Sequence, residues 1–297
     1  MGRAAVLDLG SNTFHILIIE KSEDGYVELV RKREYVKLAI DGIENLSEAA
    51  MKRGLDALIQ FKNLIDKYKV ETVQVIGTAA LRTAKNGPEY LKRIFAATGF
   101  EVELIDGIEE ARYIYLGVSQ VWQDPDLPVL IMDIGGGSVE YIIADNEHFY
   151  WSSSFPVGVA VLYREFHHTE PISGSEKKQL ACFLKSHLSE LVEAINLYQP
   201  KLLIGASGTF DVIGSIVGGH SPIKYREIDR NTVIPMINAI VAMNEQERNA
   251  DPQIPDSRVD LIVVALLLLR YTLEMGDFEK IGISTYALKE GVVATLV

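Results

Sequence analysis

Two stretches of the chain carry the same pattern of apolar and polar positions. Ala5-Val6-Leu7 runs into Asp8 and a Gly10-Ser11-Asn12-Thr13 turn before the apolar run from Phe14 to Ile18. Val129-Leu130-Ile131-Met132 runs into Asp133 and a Gly135-Gly136-Gly137-Ser138 turn before Val139 to Ile143, so the device recurs 125 residues on, from Asp8 to Asp133. Apolar, β-branched runs predict strands and Gly/Ser clusters predict turns. Each copy is therefore expected to be a β-hairpin with a carboxylate and several backbone N–H groups at its tip.

The rest of the first half predicts strands at 4–9, 13–20 and 26–38 and an amphipathic helix from the Ser47 cap to Tyr68. A strand from Thr72 to Ile76 follows, then a Gly77-Thr78-Ala79 turn, a helix entered at Pro88, a strand from Glu101 to Ile105 and a helix from Ile108 to Trp122. After its hairpin the second half predicts a strand from His148 to Phe155 and helices from Gly158 to Phe166 and from Ser173 to Tyr198. A strand from Lys201 to Ile204 then leads through Ala206-Ser207-Gly208-Thr209 into another helix. Strand and helix alternate in both halves, which predicts an α/β fold of two similar domains with a cleft between them. The proline-bracketed segment from Gln123 to Pro128 sets the expected boundary: domains 1–125 and 126–297, the last helix being free to pack back on the first.

Composition narrows the function classes. The net charge of -12 excludes a general nucleic-acid binder and requires any polyanionic substrate to find a local cationic pocket. The single Cys182 excludes an internal disulfide framework, fits a reducing compartment and is expected to be buried in a helix. No leader-like run follows Met1, and Leu261 to Leu269 is too short to span a bilayer, so a cytoplasmic protein with no membrane partner is expected.

Two hairpin tips facing each other would clamp a phosphate. Glycine-turn N–H groups form an anion nest, and an Asp can hold a Mg2+ that neutralises phosphate oxygens. Two further blocks fit this chemistry, Gly77-Thr78-Ala79-Ala80-Leu81-Arg82 and Glu109-Glu110-Ala111-Arg112. At helical spacing Glu110 shares a face with Ile114, Gly117 and Val121, while Glu109 falls beside Tyr113, Leu116 and Gln120. Glu110 is thus expected on the packing stripe, a partly desolvated carboxylate suited to take a proton from water. His167-His168 reads as a helix end, and Arg31-Lys32-Arg33 with Lys37 as an exposed strand or, alternatively, a guide for a polyanion.

Five blocks in this order resemble the exopolyphosphatase and guanosine pentaphosphate phosphatase family, a branch of the actin-like and sugar-kinase-like ATPase superfamily. They are Asp8 to His15, Gly77 to Arg82, Glu109 to Val118, Asp133 to Ser138 with Glu140, and Gly205 to Thr209. The resemblance spans nearly the whole chain and implies two ribonuclease H-like (actin-like) domains in the short two-domain form. It implies Glu110 as catalytic base, Asp133 as metal ligand and Ser138 as phosphate ligand. The mechanism it implies is in-line attack by water on a terminal phosphorus, with Arg82 as a fixed positive charge. Asp133, with Asp8 and Glu140, would hold Mg2+; the N–H groups of Gly10, Ser11, Asn12, Gly135, Gly136 and Gly137, together with Ser207 and Gly208, would hold phosphate oxygens. The implied substrates are inorganic polyphosphate and guanosine pentaphosphate, and a homodimer is compatible with the resemblance.

Two residues depart from the family pattern: Asp106 stands where a small Ser is usual, either as a helix cap or as an added negative charge, and Lys289 stands where Arg is usual. The chain's end at Val297, without the long members' helical extension, leads to the expectation of distributive action on short polyphosphates or guanosine pentaphosphate. Two other readings fit the hairpins: an actin-like ATPase or small-molecule kinase, which leaves the Glu109-Glu110-Ala111-Arg112 block unexplained, and a noncatalytic sensor of guanosine polyphosphates.

Overall fold

The repeated hairpin sets the plan of both halves. The computed structural model describes residues 2–23, 25–122, 127–218 and 223–297. In the first unit β1 (Arg3–Leu9) pairs antiparallel with β2 (Phe14–Ser22), which pairs antiparallel with β3 (Gly25–Glu34). The chain crosses through α1 (Glu48–Tyr68) to β4 (Thr72–Gly77), parallel to β1, then through α2 (Ala79–Thr83) and α3 (Gly87–Thr98) to the two-residue β5 (Glu103–Leu104) and α4 (Gly107–Val118). The sheet order is β3-β2-β1-β4-β5.

The second unit repeats this order and extends it. β6 (Val129–Ile134), β7 (Val139–Ala144) and β8 (Phe149–Phe155) form the meander, followed by α5 (Val159–Phe166), α6 (Gly174–His187), α7 (Ser189–Tyr198) and β9 (Leu202–Ala206), parallel to β6. Then come α8 (Gly208–Gly218), β10 (Tyr225–Asp229), α9 (Arg230–Ala242), α10 (Glu245–Ala250), α11 (Ile262–Leu273) and β11 (Lys280–Ser284), giving the order β10-β11-β9-β6-β7-β8. Every residue of β6 and β7 is buried, which explains their unbroken apolar runs.

The compact units are Met1–Gly117 with Leu288–Val297, and Val118–Ala287. The boundary expected between residues 125 and 126 falls on residues 123–126, which lie outside the described residues. The final helix α12 (Leu288–Ala294) belongs to the first unit and rides directly on α4, since a Cβ on Gly291 would lie 1.7 Å from the Tyr113 carbonyl oxygen. Among the described residues no helix is long and apolar enough to cross a membrane.

Three local expectations are corrected. The third strand stops at Glu34, because Val36, Leu38 and Ala39 bury their side chains and Arg53 Nε donates to Val36 O at 2.8 Å, folding residues 36–39 back on the first hairpin. The helix expected from Ser173 to Tyr198 breaks at Leu188. There Ser186 Oγ donates to Phe183 O and His187 Nδ1 lies against the same carbonyl, both at 2.8 Å, so side chains compete for the carbonyl that would continue the helix. Cys182 is exposed, because Leu180 and Leu184 define the buried stripe of α6 and Cys182 falls between them on the other side.

Candidate active site

In the first unit Asp8 closes β1, directly opposite His15 on β2 and beside Ile76 on β4. Gly10 N donates to Thr13 O at 3.1 Å, so this N–H is engaged inside the turn. The carbonyls of Ser11 and Asn12 accept from Ala39 N at 2.9 Å and Lys37 N at 2.8 Å. In a planar trans peptide the next N–H points the opposite way. The N–H groups of Asn12 and Thr13 therefore face away from residues 36–39. The Ser11 hydroxyl accepts from Ala80 N at 3.1 Å and so caps α2, which lacks a cap from its own Thr78.

That contact fixes the short helix carrying Arg82. Arg82 Nη1 donates to Ile105 O at the end of the neighbouring strand segment and lies 3.6 Å from Glu110 Oε2. Glu110 is 8% exposed and shares the buried stripe of α4 with Ala111, Ile114 and Val118, whereas Glu109 is only half-buried. The predicted helical phase thus separates the two glutamates. Asp106 Oδ1 accepts from Ile108 N and Glu109 N, both at 2.9 Å, so the carboxylate that departs from the family pattern caps α4 and satisfies two of its orphan donors.

In the second unit Asp133 on β6 stands opposite Glu140 on β7, and Glu140 stands opposite Ser154 on β8. Directly opposed residues share a face, so the two carboxylates are neighbours. Both are buried, and Ser154 Oγ holds Glu140 Oε1 at 2.7 Å. The carbonyls of Gly135, Gly136 and Gly137 accept from Val159 N at 3.0 Å, Ala160 N at 2.9 Å and Gly158 N at 3.3 Å. By the same peptide geometry the N–H groups of Gly136, Gly137 and Ser138 turn away from α5. Gly158 was not singled out in the sequence, yet a Cβ there would lie 2.4 Å from Gly136 O, so the glycine turn can approach α5 only at a glycine.

Ser207 sits at φ 74°, left-handed backbone that a non-glycine residue adopts at a cost, and its hydroxyl donates to Ile134 O at 3.3 Å. This bond ties the turn after β9 to the end of β6, next to Asp133. Gly208 opens α8, and Arg258 lies against it: a Cβ on Gly208 would fall 1.7 Å from Arg258 Nη2. A buried guanidinium at the positive end of a helix dipole makes a local cationic site. No local motif marks Arg258 in the sequence; the chain folding back from Pro255 puts it there.

Among the described residues no group of three His, Cys, Asp or Glu side chains could hold a metal by itself. Asp133 with Glu140 is a two-carboxylate set. Mg2+ is commonly held by one or two carboxylates with water and substrate phosphates, so this donor set fits that open mode rather than a closed cage. Asp8, the third expected ligand, lies in the first unit beside His15.

Residues 17–297 match the model of the Ppx/GppA phosphatase family. The chain is 29% identical to a putative exopolyphosphatase of Haemophilus influenzae, over 98% of this chain and 90% of that protein. It is 27% identical to a guanosine-5'-triphosphate,3'-diphosphate pyrophosphatase of Aeromonas hydrophila, covering 97% of this chain but 58% of the longer protein. The crystal structure of an exopolyphosphatase from Cytophaga hutchinsonii superposes with a TM-score of 0.96 at 34% identity, over 99% of this chain and 97% of that one. A family member from Aquifex aeolicus gives 0.81 at 25% identity, over 99% and 97%. Two similar actin-like α/β units are therefore the architecture of this chain.

Proposed function

Because the chain belongs to the Ppx/GppA phosphatase family, we propose that it is a Mg2+-dependent phosphohydrolase releasing terminal phosphate from inorganic polyphosphate, guanosine pentaphosphate or both. The observation that carries this reading is the pairing of Arg82 with the buried Glu110 at 3.6 Å, at the start of a helix whose other glutamate is only half-buried. A surface Glu pair that merely favoured a helix dipole would not need one member buried beside a guanidinium.

In this mechanism Glu110 orients the attacking water by accepting its hydrogen bond and takes its proton as the bond to phosphorus forms. Arg82 binds a non-bridging oxygen of the phosphoryl group; its orientation is fixed by the bond to Ile105 O. The N–H groups of Asn12, Thr13, Gly136, Gly137 and Ser138 are the backbone donors turned outward from the two turns, and they supply an anion nest in each unit. Asp133 and Glu140 would hold Mg2+, which when bound supplies neutralisation of phosphate charge. Arg258 at the start of α8 adds a cation to the phosphate turn of the second unit. We assign the protein to the cytoplasm, where its exposed Cys182 would stay reduced.

The test is phosphate release from polyphosphates of several lengths, guanosine pentaphosphate and ATP, each with and without Mg2+. Sustained release from polyphosphate or guanosine pentaphosphate that requires Mg2+ supports the reading. Nucleotide binding without release would favour a sensor, and hydrolysis restricted to ATP would favour an ATPase.

A further inference from the structure

One buried network lies outside the residues assigned above and ends at the phosphate turn. Arg248, on the short helix α10, is fully buried. Its guanidinium grips Glu170 with two parallel bonds of 2.8 Å, Nη2 to Oε1 and Nη1 to Oε2. Nη1 also donates to Met243 O at 2.9 Å, and Nε donates to Val259 O at 3.0 Å. The buried His167 lies beside this pair, its Nε2 3.1 Å from Glu170 Oε1.

Val259 follows Arg258, the cation that lies on Gly208. The backbone around Arg258 is a tight turn: Arg258 N donates to Pro255 O at 2.7 Å, and Arg258 O accepts from Leu261 N at 3.1 Å and Ile262 N at 2.9 Å. Arg248 closes this turn from beneath by holding the carbonyl next to Arg258. Because Arg248 is locked in turn by a bidentate carboxylate, its fork has little freedom to follow a moving turn.

We propose that Arg248 is a positioning residue: through Val259 O it fixes the turn that seats Arg258 on the first residue of α8, and so sets the affinity of that turn for phosphate groups. The inference rests on the proposed role of the Gly208 turn in phosphate binding. Lysine in place of Arg248 keeps a positive charge beside Glu170 but cannot span Glu170, Met243 O and Val259 O together.

The experiment is calorimetric binding of inorganic pyrophosphate to the full chain in wild type, Arg248→Lys, Arg258→Met and the double variant, with polyphosphate hydrolysis by the wild type measured alongside. Arg248→Lys is expected to weaken binding by roughly 10-fold, the scale of one charged hydrogen bond. In the Arg258→Met background the same change should add nothing. Wild-type affinity in Arg248→Lys, or an undiminished effect in the Arg258→Met background, overturns the proposal while leaving the hydrolase reading intact. A wild-type chain that neither binds pyrophosphate nor hydrolyses polyphosphate overturns both. If Arg248→Lys fails to fold, the charge-balanced pair Glu170→Gln with Arg248→Met takes its place and is read in the same way.

Discussion

Arg82 Nη1 and Glu110 Oε2 lie 3.6 Å apart, although the two residues belong to different helices, α2 and α4. The Ser11 hydroxyl holds α2 by its Ala80 N–H, and Asp106 caps α4, so hairpin, cation and carboxylate form one connected unit. A guanidinium fixed beside a carboxylate holds it in one orientation, and its planar fork carries further N–H donors suited to an anion.

Glu110→Gln is expected to lower kcat by roughly 10²- to 10⁴-fold, the usual worth of a general base, with KM little changed. Glu109→Gln should leave kcat within a small factor, because that side chain is only half-buried on the outward phase of α4. Steady-state phosphate release decides the matter, and equal losses in both variants would remove Glu110 from its role.

Arg82→Lys keeps the charge but cannot hold Ile105 O and a phosphate oxygen with one planar fork. A fall in kcat/KM of roughly 10²-fold is expected, the scale of one lost transition-state donor. Unchanged kinetics would mean that Arg82 serves only to pair Glu110.

Asp133→Asn should shift the Mg2+ midpoint of activity upward, since a neutral amide is a poor ligand for a hard cation. Ser138→Ala should raise KM without moving that midpoint. Metal titration of both variants checks the pair, and the assignment fails if the Asp133→Asn midpoint matches the wild type.

Gly208→Ala places a methyl group where Arg258 Nη2 now lies, within 1.7 Å. The far end of a long side chain can move aside, so the melting temperature should stay close to that of the wild type while KM rises by roughly 10- to 10²-fold. A drop in stability with unchanged KM would place Arg258 in packing rather than binding.

Glu176 provides a pH test. Although its partial burial pushes the other way, hydrogen bonds from Thr169, Ser173 and the His168 N–H hold its carboxyl at about 2, down from 4.5. A depressed carboxyl pKa stabilises the fold above the unfolded value, and this contribution is lost as pH falls from about 4.5 toward about 2. Denaturant unfolding of Glu176→Gln should therefore show less stability than the wild type at pH 7, by about 1 kcal/mol for the lost capping box with Ser173. The gap should narrow on acidification; a gap independent of pH would contradict the assignment.

The sequence by itself determined the repeat and much of the chemistry. The Asp-turn motifs at Asp8 and Asp133 specify hairpins because short apolar, β-branched runs on either side of a Gly/Ser turn leave the backbone few alternatives. The 3.6-residue period likewise separates Glu110 from Glu109 without any knowledge of packing. Tertiary structure alone decided which donors remain for a ligand. Gly10 spends its N–H within its turn, the Ser11 hydroxyl caps a helix far along the chain, and the carbonyls of Gly135 to Gly137 are taken by α5, which turns the next N–H groups outward. Arg258 reaches Gly208, and Arg248 reaches Val259, through folding that no local pattern encodes. Propensity and periodicity act within a few residues, whereas hydrogen-bond partners are allotted by whichever distant segment arrives. The sequence could therefore name the residue types of a phosphate site but not assign each N–H to its partner.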